Sequence, residues 1–123
     1  MVSSLMSAWP WAGSFVEMLR TEVRQARITN SSSLRRRTEN HIRDALYYAC
    51  NSIELERAAE NAAEMCVQFA DHISQSGLFY SSDAPANRQA RELALIAIDQ
   101  FESALRDAKP SIEAQMLGGS SIR

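Results

Sequence analysis

The stretch LERAAENAAEMCVQFADHI, residues 55–73, decides the fold of this 123-residue chain. Leu55, Ala59, Ala62, Cys66, Phe69 and Ile73 recur at alternating steps of four and three. That spacing aligns side chains on one helical face and forms the seam of knobs-into-holes packing. Ala59, Ala62 and Ala63, on or beside the seam, let a neighbouring helix approach closely. Gly77 is placed as a C′ residue, so the spacing predicts a helix over about 53–76.

Upstream, Asn51-Ser52-Ile53-Glu54 has the form of a capping box with Asn51 at its first position. The apolar stripe shifts there: Ile53 continues the preceding face, while Leu55 starts a new one. A separate helix is therefore predicted over 34–50, with Ile42, Ala45, Leu46 and Ala49 inward; a single helix from 34 to 76 is the alternative. The cluster Thr29-Asn30-Ser31-Ser32-Ser33 breaks the chain before it, with Ser32 or Ser33 as cap. A first helix spans about 10–28, with Pro10 in its opening turn and Ala12, Val16, Leu19, Val23 and Ala26 on its core stripe beside Phe15.

Downstream, Phe79 and Tyr80 in the connection 78–84 must fold onto the bundle end or meet a partner. A last long helix runs over about 85–109, from Pro85 to the residue before Pro110. Its stripe of Ala90, Ala94, Ala97, Phe101, Ala104 and Ala108 is widened by Leu93, Leu95, Ile96, Ile98 and Leu105. A helix apolar around so much of its circumference is central or touches a second subunit. The expected architecture is an all-α, single-domain four-helix bundle over residues 1–117, followed by a flexible tail at 118–123.

Four glycines and three prolines are too few for a turn-rich β fold. Cys50 and Cys66 form no disulfide framework and lack metal-ligand spacing; Cys66, on the core stripe, reads as a buried free thiol in a reducing, cytoplasmic setting. No apolar run approaches the ~18 residues of a membrane span, and Met-Val-Ser-Ser-Leu-Met lacks the basic start of a secretory signal.

Spacing argues against several all-α enzyme classes. Di-iron bundles need Glu-x-x-His pairs that share a helical face, but Thr38 and Phe69 stand three residues before His41 and His72. The paired Glu-x-x-Glu motifs of all-α nucleotide pyrophosphohydrolases have one solitary near-equivalent, Asp99-x-x-Glu102. Asp71-His72 reverses the His-Asp dipeptide of another phosphohydrolase class, and no glycine-rich phosphate loop occurs. No cofactor or metal is expected. One enzymatic pattern is present: Arg36-Arg37-Thr38-Glu39-Asn40-His41 resembles the Arg-x4-His motif of HEPN ribonucleases. That resemblance implies metal-independent RNA cleavage, with Arg36 steadying phosphorane charge and His41 moving protons. On a continuous helix the five steps place the two about 140° apart, so they converge only where Arg36 lies in the preceding loop.

Charge is unevenly distributed. Residues 1–43 hold seven arginines against three glutamates, a net +4; residues 44–123 hold six basic against twelve acidic groups, a net −6. Arg20, Arg24 and Arg27 line one face of the first helix, and Arg36, Asn40, Arg43 and Tyr47 align on the second. Such rows select a phosphate backbone or an acidic protein surface, unless Glu56, Glu60 and Glu64 of the third helix neutralise them within the bundle or across a dimer. Trp9-Pro10-Trp11 forms a second surface, either an interface anchor or a staple closing the bundle end.

The leading expectation is a non-enzymatic, cytoplasmic interaction protein, an inhibitor, adaptor or regulatory subunit. It is expected to form a homodimer and to bind a partner protein through Arg20, Arg24, Arg27, Arg36, Arg43, Tyr47, Trp9 and Trp11. In size and character the chain resembles small phage or mobile-element proteins that block host defence complexes. The alternatives are the Arg36–His41 ribonuclease and a nucleic-acid-binding helical protein.

Overall fold

A computed structural model describes residues 7–27, 32–75 and 85–116. Four long helices form: α1 (Trp9–Gln25), α2 (Leu34–Tyr47), α3 (Ile53–Gln75) and α4 (Pro85–Asp107). A further helical turn covers 112–116. The all-α bundle expected from the sequence is thus observed. Gly77, Phe79, Tyr80 and the expected tail at 118–123 lie outside the described residues.

The helices follow one another around a ring. α1 packs on α2 and α4, and α3 packs on α4 and α2. Adjacent helices run antiparallel, as paired contacts show: Phe15 stacks on Tyr48 while Glu22 meets Arg37. Ser7 Oγ donates to the Arg106 carbonyl while Arg91 reaches Val23 and Ala26. One apolar cluster draws on all four helices and includes Val16, Leu19, Ile42, Leu55, Cys66, Phe69, Phe101 and Leu105. All six seam residues of the 55–73 stretch are buried. On α4, by contrast, Leu93 and Ile96 remain exposed, so the expected stripe is wider than the face the bundle covers.

The break between α2 and α3 has a local and a distant cause. Tyr48 N–H bonds the Ala45 carbonyl and Ala49 N–H that of Leu46, a tightening that closes α2 at Tyr47 rather than at residue 50. The strand-like segment after α4 then takes the next groups: Cys50 N–H donates to Lys109 O at 2.7 Å, and Ser111 N–H donates to Tyr48 O at 3.0 Å. Ala49 and Pro110 sit opposite each other between these bonds, where a proline needs no N–H to offer. A continuous helix from 34 to 76 is therefore not formed. The cap of α3 is Ser52, one residue later than the box reading placed it: its Oγ accepts from Leu55 N–H at 3.1 Å. Three residues on stands Leu55 rather than a glutamate, so no reciprocal box closes.

Candidate interaction face

α2 has the narrowest apolar stripe of the four helices. Only Leu34, Thr38, Ile42 and Ala45 are buried along it, and Thr38 satisfies its hydroxyl by donating to the Arg35 carbonyl. The rest of the helix is left to solvent or to a partner. Arg36, Arg43 and Tyr47 are exposed and Asn40 is half-buried, so the predicted row stands on the outer side of α2. Tyr47 is 57% exposed, its ring set edge-on to Tyr48 at 5.0 Å. Arg43 donates to the Asn40 side-chain oxygen within the row. The Arg36 side chain makes no hydrogen bond or ion pair with another described residue.

The row predicted on α1 meets a different fate. Arg20 is only 7% exposed. Its guanidinium binds Glu102 at 2.5 Å, Glu17 at 2.7 Å and Asp99 at 2.9 Å. Burial opposes the charge, but the three carboxylates outweigh it and hold Arg20 above the ordinary arginine value. The expectation that Arg20 anchors a partner is corrected: its donors are spent within the bundle. The acids that neutralise it belong to α4 and α1, not to the glutamate row of α3, because α1 does not pack beside α3 in the ring. Arg24, one turn beyond Arg20, is exposed and has no partner among the described residues. Arg27, also exposed, donates to the Ala26 carbonyl at 3.1 Å. The row starting at Arg20 faces α4 and that of α2 faces outward, so the two do not merge into one surface.

Two further arginines that sequence reasoning did not single out are structural. Arg37 Nε donates to Glu22 Oε1 at 3.0 Å, and Glu22 also meets His41 Nε2 at 3.3 Å, fastening α2 to α1. Arg91 donates to the carbonyls of Val23 (3.2 Å) and Ala26 (2.9 Å) while lying over the Phe69 ring. It closes a helix whose end carries no glycine. No local signal marks either role, since both partners are far away in sequence.

The tryptophans are partly internal. The half-buried Trp9 ring lies under the Arg106 guanidinium at 4.1 Å and against Gly13, which makes it a closure of the bundle end. Trp11 is half-buried too. The geometry required of an Arg36–His41 pair is absent: Arg36 lies inside α2, and His41 turns toward Glu22 on the α1 side. Among the described residues no three of His, Cys, Asp and Glu converge as metal ligands. No described helix is long and apolar enough to cross a membrane.

Comparison with known proteins finds no match. No family model fits the chain, and neither the curated proteins nor the solved structures include a match.

Proposed function

We propose that the chain is a non-enzymatic interaction protein that docks a protein partner on the outer face of α2. The observation that carries this reading is the division of the arginines. Arg20, Arg37, Arg91 and Arg106 are engaged with the bundle, whereas Arg36 and Arg43 stand exposed in line with Asn40 and Tyr47. A planar guanidinium beside an exposed aromatic ring suits a carboxylate-bearing protein surface.

Charge pattern favours a protein over a nucleic acid. Glu39 and Asp44 are exposed on the same helix, interleaved with the arginines. A uniform phosphate backbone is repelled by such acids, while a protein surface carrying both signs can match them.

The test is capture by the tagged chain from nuclease-treated lysate of its source cells, with R36E/R43E beside wild type. Both side chains are exposed, so the variant keeps the wild-type melting temperature and loses the captured protein. Equal capture by the two forms overturns the proposal. Recovery of nucleic acid alone, with affinity falling steeply in salt, replaces it with nucleic-acid binding.

A further inference from the structure

α3 carries its own exposed row. Glu56, Glu60 and Glu64 recur every four residues and are all exposed, with Ile53 ahead of them 65% exposed. α3 is the neighbour of α2, and the two run antiparallel from a shared end where residues 48–52 join them. The rows therefore have a common origin, Tyr47 on α2 and Ile53 on α3.

The two rows are in register. Arg36 lies eleven residues from Tyr47, and Glu64 lies eleven residues from Ile53. At about 1.5 Å per residue both stand about 16 Å from the shared end. Arg43 stands about 6 Å from that end, between Glu56 at about 4 Å and Glu60 at about 10 Å. Within one chain α2 and α3 lie side by side, and no ion pair joins Arg36 or Arg43 to these glutamates among the described residues. Both rows point away from the core, α2's opposite Leu34, Ile42 and Ala45, α3's opposite Leu55, Ala62 and Cys66.

We infer that the occupant of the α2 face is a second copy of this chain, paired through a two-fold axis parallel to the bundle. This rests on the reading of α2 as a docking face and names its partner. Such an axis lays α2 of each copy against α3 of the other at equal height. It sets Arg36 opposite Glu64, Arg43 between Glu56 and Glu60, and Tyr47 against Ile53, each contact made twice. The two exposed apolar side chains at the shared end are covered by the same operation. The rows also hold groups of opposite sign, Glu39 and Asp44 on α2 and Arg57 on α3.

The test uses the purified full-length chain, its mass in solution followed by sedimentation across a concentration series. Wild type is a dimer that weakens in high salt. R36E/R43E and E60R/E64R each set like charges face to face, weaken self-association roughly a hundredfold and sediment as monomers. Mixed in equal amounts they form a heterodimer, because on one side of the axis the acidic α2 of R36E/R43E meets the basic α3 of E60R/E64R, and on the other the unaltered basic α2 meets the unaltered acidic α3. Helical circular dichroism identical to wild type confirms that each variant folds. A wild-type chain that is monomeric at every concentration overturns the inference. So does a dimer that survives both variants and dissolves only on L93E/I96E, which moves the contact to the α3–α4 side. Loss of capture by R36E/R43E in a monomeric chain overturns the second copy as occupant while leaving α2 a docking face; unchanged capture in that chain overturns both.

Discussion

Arg20 of α1 and Glu102 of α4 meet at 2.5 Å, and Glu102 also accepts from Arg106 at 2.9 Å, so one carboxylate ties a buried cation to a surface one. Arg20 holds the Glu102 carboxyl below its ordinary range against the opposing effect of burial, with Arg106 adding to the pull. Glu102 is thus ionised in the folded chain at pH values where it would be protonated in the unfolded one. Its contribution is full above its unfolded value of about 4.3 and is lost as pH falls through the lower folded value. E102Q is expected to cost about 1–2 kcal/mol at neutral pH, since Glu17 and Asp99 still hold Arg20. The gap in melting temperature between wild type and E102Q should narrow as pH falls below the unfolded carboxyl value; a gap independent of pH refutes the assignment.

Gly13 and Trp9 form a second coupled pair. Replacing a helical glycine by alanine usually gains about 1 kcal/mol. Here a Cβ would sit 2.9 Å from Trp9 Cε2 and 3.1 Å from Cζ2, and the ring is also held by Arg106. G13A is therefore expected to lower the melting temperature. In a W9A background the same change should raise it, and a double-mutant cycle by thermal unfolding measures the reversal of sign.

Arg91 closes α1 with a forked donor. R91A removes bonds to two carbonyls and the cover over Phe69, at a cost of about 2–3 kcal/mol in urea unfolding. R91K should recover little of this, because an ammonium lacks the planar fork and the stacking surface. Full recovery by lysine would show that charge alone matters there.

The two cysteines should react differently. Cys66 is fully buried, and burial pushes its thiol up to about 12, whereas Cys50 is exposed at the α2–α3 connection. A thiol reagent at neutral pH should modify one cysteine of the native chain and both after denaturation. C50S should leave the native chain unreactive.

Much of the fold was legible in the residues. The core stripes of α1 and α3 appear in full, because a helical face is a local property set by spacing. The break before α3 showed in its shifted stripe, although the cap proved to be Ser52, where hydroxyl geometry favours the residue adjoining the first turn. The end of α2 was less legible, since the segment after α4 competes for its backbone groups. On the candidate face, Arg36, Arg43 and Tyr47 were read as exposed and are. Arg20 was not distinguishable from them, because its spacing matches that of a surface row and its partners Asp99 and Glu102 lie some eighty residues away.

The sequence alone determined where the four helices lie, the end of α2 apart, and where each carries its apolar stripe, since backbone hydrogen bonds and side-chain spacing act within a few residues. Only the tertiary structure decided which helices are neighbours. That order places α1 beside α4 and so consumes Arg20, and it leaves the outer side of α2 uncovered. Charge pairing acts through space, and its outcome waits on the ring.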